Sequence, residues 1–305
     1  REMISAADIA FINQETPVSQ SHEPDSYPTF NSPVDLTYDL ADAGFDIVNL
    51  ANNHMLDKGA LGLKESFENW NARNLTVVGC WDEQESGKYI TYYEKNDIRI
   101  AFVSYTYGTN LNEDPAKYGL YASYLKQADL EGEIAEAKAN ADFVIVSVHW
   151  GEEGSLTPNP EQKSYAQKMA DAGADVILGH HPHVLQPIEE IRRADGGTTL
   201  CVYSVGNFVH EQDRYINVVG GMVTFDITKT NDDRAGWSNV GFTPTVCHYP
   251  GNFYGNTVYL LKNYTEELAA QHAVRSYYKN SISLSALQEL VTNTIDSKYL
   301  ADYLQ

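Results

Sequence analysis

From residue 1 to about residue 210, short apolar runs alternate with polar stretches of helical period. The apolar runs predict strands at Ile9–Asn13, Asp46–Leu50, Thr76–Val78, Ile98–Tyr105, Phe143–Val148, Val176–Leu178 and Leu200–Ser204. The runs opening at Phe143 and Val176 are apolar throughout, the pattern of strands buried on both faces. Between them one helix is well marked. Asn159 can cap it, Pro160 takes the first helical position, and Gln162 stands where a capping-box partner belongs. Ala166, Met169 and Ala170 form its apolar stripe, and Gly173 supplies a stop. Strand, helix and strand then make a βαβ unit with parallel strands and a right-handed crossover. Asp129–Lys138 and Leu61–Asn71 predict two further helices.

The texture changes after about residue 215. Met222–Ile227 and Asn256–Leu261 read as strands separated by a stretch bearing Gly, Asn and Pro. Residues 265–305 read as helix in two pieces, broken near Ser281–Ser285. The pattern is α/β, with a domain over 1–215 and a C-terminal β/helical appendage over 216–305. No repeat or low-complexity stretch interrupts it.

Charge narrows the partners. The chain has 305 residues, 43% of them hydrophobic, and carries 21 basic against 42 acidic side chains, a formal net charge of −21. Nucleic acid phosphates and anionic lipid headgroups repel such a chain, so neither is expected as a partner. Cys80, Cys201 and Cys247 lie far apart, which argues against a zinc ribbon or a Cys-x-x-Cys redox site. No stretch approaches the roughly 20 apolar residues of a membrane span. The opening Arg1-Glu2-Met3-Ile4 reads as mid-protein, so an anchor or export signal is expected upstream of it.

The metal-binding side chains fall in a pattern. Asn13 and Glu15 follow the strand at Ile9, and Asn52, Asn53, His54 and Asp57 follow the strand at Asp46. His149 ends the strand at Phe143. His180, His181 and His183 follow the strand at Val176, and Asn207 and His210 follow the strand at Leu200. Each group lies past the carboxyl end of a strand, and in a parallel sheet those ends share the edge where open α/β proteins bind ligands. Oxygen and imidazole donors without thiolate suit a divalent ion such as Mn, Fe or Zn. Taken singly, each group has a plainer reading. Asn52-Asn53-His54 also suits an Asx turn opening a helix. His149 before Trp150-Gly151 also suits a turn. His248 and His272 read as surface or internally satisfied histidines. Three histidines within Gly179-His180-His181-Pro182-His183 are harder to explain without a ligand, because burying them carries a desolvation cost.

These stretches resemble a known family. Ala51-Asn52-Asn53-His54-Met55-Leu56-Asp57-Lys58-Gly59 closely resembles the Ala-Asn-Asn-His-x-x-Asp-x-Gly signature of CapA-type capsule synthesis proteins. Val148-His149-Trp150-Gly151, Gly179-His180-His181-Pro182-His183-Val184 and Tyr203-Ser204-Val205-Gly206-Asn207-Phe208 resemble its later blocks, in order, from about residue 7 to 210. The resemblance implies a four-layer α/β/β/α sandwich like that of calcineurin-type metallophosphoesterases. It implies Glu15, Asn53, His149, His181 and His183 as ligands of divalent metal. His54 becomes the histidine that steadies or protonates a leaving oxygen, and Asp57 orients His54 or closes the loop. The family's opening Gly-Asp block has no counterpart here and would lie upstream of Arg1.

Three functions follow as expectations. The first is a metal-dependent hydrolase acting on a phosphoester or on γ-linked polyglutamate. The second is a non-catalytic accessory subunit beside a membrane synthase and exporter of that anionic polymer. The third is an enzyme of unrelated purpose, such as a nucleotidase, on the same fold. The resemblance further implies an extracytoplasmic, surface-anchored protein.

Overall fold

A computed structural model describes residues 1–82, 89–229, 235–251, 254–277 and 282–304. The fold is mixed α/β and divides into two compact units. Arg1–His149 with Asp171–Ala174 form the first, and Trp150–Ala170 with Asp175–Gln305 form the second.

The first unit runs α1 (Glu2–Ser5), β1 (Phe11–Asn13), α2 (Asp35–Ala43), β2 (Ile47–Asn49), α3 (Gly59–Asn71), β3 (Thr76–Val78), β4 (Trp81–Asp82), β5 (Ile90–Lys95), β6 (Ile98–Thr106), β7 (Leu120–Tyr121), α4 (Leu130–Asn140) and β8 (Phe143–His149). β1, β2 and β3 form a parallel sheet in that order. β6 pairs parallel with β8, bringing Thr106 opposite His149, and β5 pairs antiparallel with β6. β1 starts two residues later than the apolar run at Ile9 predicts. The Asp46 carboxylate accepts the Ala10 amide at 2.7 Å, so a side chain takes the place of a ladder bond there. Val48, Leu50, Leu56, Leu63, Trp70 and Leu75 are buried together in a core between β2, α3 and β3. The segment after β1 is tied down by Glu65, which accepts from the Ser19 and Ser21 hydroxyls, and by Asn31, whose Oδ1 accepts from the Ser19 amide.

The second unit holds most of α5 (Pro160–Ala172), then β9 (Val176–His180), β10 (Leu185–Arg192), β11 (Thr198–Val205), β12 (Val219–Lys229), β13 (Ala235–His248), β14 (Thr257–Leu260), α6 (Glu266–Gln271), α7 (Val274–Tyr277), α8 (Leu284–Thr294) and α9 (Ala301–Leu304). β11 pairs parallel with β9 and antiparallel with β10. The capping box of α5 forms as its sequence predicts. Asn159 Oδ1 accepts the Gln162 amide at 2.8 Å, and Gln162 Oε1 accepts the Asn159 amide at 3.0 Å.

The tail departs from expectation twice. The stretch expected to separate two strands contains β13, paired with β12 and with β14. Its Pro244 is tolerated because β14 pairs only Thr245–His248, leaving Pro244 on an open edge. The two expected helical pieces are four short helices, α6 to α9. In the expected break, residue 281 lies outside the described residues, and Ser283 caps α8 by accepting the Ala286 amide at 3.1 Å.

Candidate functional site

In the first unit the candidate residues sit at carboxyl ends of parallel strands. Glu15 lies two residues past β1, Asn53, His54 and Asp57 lie in the turn between β2 and α3, and His149 ends β8. The Asx turn exists, with Asn52 Oδ1 accepting the His54 amide at 3.0 Å, though α3 begins only at Gly59. Asn52 Nδ2 also donates to the Gln14 carbonyl at 2.9 Å, so this asparagine joins the two loops. The plainer reading and the functional one therefore fall on neighbouring residues: Asn52 shapes the turn, and Asn53 and His54 are presented by it.

His54 and Asp57 form a buried pair, with Nδ1 2.7 Å from Asp57 Oδ2. The carboxylate can only accept, so Nδ1 carries the proton and Nε2 is the face on which His54 exchanges protons. The same Oδ2 accepts the Phe30 amide at 2.9 Å, and the Phe30 ring meets the His54 ring edge-on at 4.7 Å. Backbone and ring together fix the pair in position.

Beside it three donor atoms converge. His149 Nε2 lies 2.8 Å from Asn53 Oδ1 and 3.4 Å from Glu15 Oε1. Atoms bound at about 2.1 Å to a single ion stand roughly 3.0–3.4 Å apart, so the Glu15 separation falls in the range of a shared ion and the Asn53 separation lies just below it. The shorter one also suits a hydrogen bond from the imidazole to the amide. An oxygen-rich set with one imidazole and no thiol matches a hard or borderline divalent cation.

In the second unit His180 ends β9, and His181 and His183 follow it with ring centroids 6.1 Å apart. Both His181 and His183 hold left-handed backbone, at φ 99° and 57°. Residues other than glycine hold such conformations at a cost of about 1–3 kcal/mol, and they cluster where a side chain must be aimed. His183 Nδ1 is 2.9 Å from Asn207 Oδ1. The Asn207 amide nitrogen donates to the carbonyls of His183 and Asn217, which fixes its oxygen toward the ring. Nδ1–H is thereby held, and Nε2 of His183 is left as an electron-pair donor, the arrangement that orients metal-binding histidines. Asn207 thus orients a candidate ligand. His210 Nδ1 accepts the Gln212 amide at 2.9 Å, and burial, aided by His183 and His272, pushes its pKa down to about 3. Its imidazole is therefore held neutral.

His248 and His272 are buried and satisfied internally. His248 Nδ1 bonds the Tyr264 hydroxyl at 2.7 Å, and His272 Nε2 donates to the Cys247 carbonyl at 3.0 Å. Sequence reasoning missed Phe30, Tyr107 and Asn110, all of which touch candidate residues. Tyr107 and Asn110 follow the carboxyl end of β6, so the rule that located the other groups applies to them as well.

Similar proteins fit this pattern of motifs. Over 182 residues the chain is 37% identical to the capsule biosynthesis protein CapA of Bacillus anthracis, covering 57% of this chain and 42% of that protein. Over 203 residues it is 35% identical to the PGA biosynthesis protein CapA of Bacillus subtilis, covering 64% of this chain and 50% of that one. A Mycobacterium tuberculosis protein named as a probable polyglutamine synthesis accessory protein is 26% identical over 207 residues, covering 62% of this chain and 53% of that one. The matches thus span about half the length of these relatives. The family model of the bacterial capsule synthesis protein PGA_cap matches residues 1–212, and the chain belongs to that family.

Proposed function

We propose that the protein is a metal-dependent hydrolase of capsule or poly-γ-glutamate biosynthesis, cleaving a phosphoester or a γ-glutamyl linkage. One observation carries this reading: the buried His54–Asp57 pair stands beside the converging donors Glu15, Asn53 and His149. We assign His181 and His183 of the second unit as further ligands of divalent metal, with the His183 ring oriented by Asn207. The ion, Mn, Fe or Zn by donor chemistry, supplies Lewis acidity toward a phosphoryl or amide oxygen. Asp57 holds the Nδ1 proton and stabilises the imidazolium that forms when Nε2 takes up a proton from solvent; His54 then passes that Nε2 proton to the leaving atom and returns to the neutral form. The domain that does this is residues 1–215, on a four-layer α/β/β/α frame, with residues 216–305 completing the fold. Capsule-forming relatives favour an extracytoplasmic place at the cell surface; among the described residues no helix is long and apolar enough to cross a membrane.

The name of the mycobacterial relative favours a second reading, a non-catalytic accessory subunit of a polyglutamate synthase. With a net charge of −21, such a subunit meets an anionic polymer only through bridging cations.

Turnover separates the two readings. Parent and His54→Ala, matched for metal content, are assayed on p-nitrophenyl phosphate and on γ-glutamyl oligomers. The hydrolase reading predicts a loss of about 10²–10⁴-fold in kcat with metal retained. A metal-loaded parent inert on both substrate classes leaves the accessory reading standing.

A further inference from the structure

We propose that Asn110 is a positioning residue that sets which end of the Asn53 side chain faces the ion, an inference that rests on the metal reading above. An amide group has an oxygen end that can bind a cation and a nearly isosteric NH₂ end that repels one. A ligand asparagine therefore needs a neighbour that distinguishes the two ends.

Asn110 is placed to do this. It lies in the loop after β6, outside the four motifs that carry the family resemblance. The loop is held firmly: the Thr106 hydroxyl donates to the Gly108 carbonyl at 2.8 Å, and the Tyr107 amide donates to the His149 carbonyl at 2.9 Å. The Tyr107 ring stacks on the His149 ring at 6.3 Å and 10°. The Asn110 amide donates to the Asn53 carbonyl at 2.8 Å, which locks the two backbones together. From that position Asn110 Oδ1 accepts from Asn53 Nδ2 at 3.4 Å. With its NH₂ end so engaged, Asn53 turns its oxygen to the side where His149 Nε2 stands at 2.8 Å. Asn110 Nδ2 also approaches His54 Nδ1 to 3.3 Å. The Nδ1 proton goes to Asp57 over the shorter 2.7 Å contact, so His54 keeps its tautomer without Asn110.

The test uses a carboxylate, which presents oxygen whichever way it turns. Cobalt(II) is titrated into the full chain and followed by its visible absorption, in the parent, Asn110→Ala, Asn53→Asp, and Asn53→Asp with Asn110→Ala. The proposal predicts that Asn110→Ala weakens cobalt affinity by about 10–100-fold in the parent. In the Asn53→Asp background the same substitution changes affinity little. Equal weakening in both backgrounds overturns it, since a merely structural Asn110 would matter in each. Unchanged affinity on Asn110→Ala in the parent overturns it as well. A parent that takes up no cobalt overturns the metal reading, and the inference with it. Asn110→Ser, too short to reach Asn53, replaces the alanine variant if that variant does not fold.

Discussion

Single residues in this protein act through the partner that fixes their proton. Asp57 and Asn207 do this for His54 and His183. The same logic governs His272, away from the candidate site. Its Nε2–H donates to the Cys247 carbonyl, and its Nδ1 accepts the Val274 amide at 3.1 Å. A second proton on Nδ1 would set two donors against each other. Burial pushes its pKa from the ordinary 6.5 to about 4, with His248 adding to the shift and the Cys247 bond opposing it. A depressed histidine stabilises the fold fully above pH 6.5 and loses that contribution as pH falls toward 4, because the unfolded chain takes up the proton first. The stake is about 3 kcal/mol. Unfolding of the parent and of His272→Gln between pH 7 and 4 should show the parent's advantage shrinking as pH falls. A constant difference would contradict this account. Sequence alone places His54, His149 and the His180–His183 run at strand ends, because position and residue type suffice for that. Tautomers, the left-handed backbone at His181 and His183, and the contacts of Phe30 and Asn110 depend on long-range packing that no local pattern encodes.

At the scale of elements, strands with continuous apolar runs were legible, and several of mixed sequence were not. β8 and β9 begin where expected, because continuous apolar runs mark strands covered on both faces, and the short edge strand β3 matches its expected span. β5 and β10 escaped, being edge strands with alternating or polar sequence, and β10 carries Pro187, Glu189 and Glu190. β13 escaped because Pro244 and its glycines read as a loop, while pairing with β12 along most of its length outweighs that local preference. Helix α5 is the opposite case, since its cap, stripe and stop are all local. Its capping box has a measurable consequence. Asn159→Ala removes the acceptor for the Gln162 amide and should cost about 1 kcal/mol. Thermal unfolding should register a fall of roughly 2–4 °C. No change would mean that Gln162, which also bonds Gln186 at 2.8 Å, holds the helix start without Asn159.

For the whole molecule, the family match, the acidic charge and the donor sets point in one direction. A chain of net charge −21 repels anionic groups unless cations stand between them. The central claim is that Glu15, Asn53 and His149 of the first unit and His181 and His183 of the second are ligands of divalent metal. The most direct test is metal content by mass spectrometry on protein purified without chelator and supplied with divalent ions. The parent is compared with two double variants, Glu15→Ala with His149→Ala, and His181→Ala with His183→Ala. The account predicts near-stoichiometric metal in the parent and its loss from both variants. A folded parent without metal, or variants that keep the parental content, would contradict it.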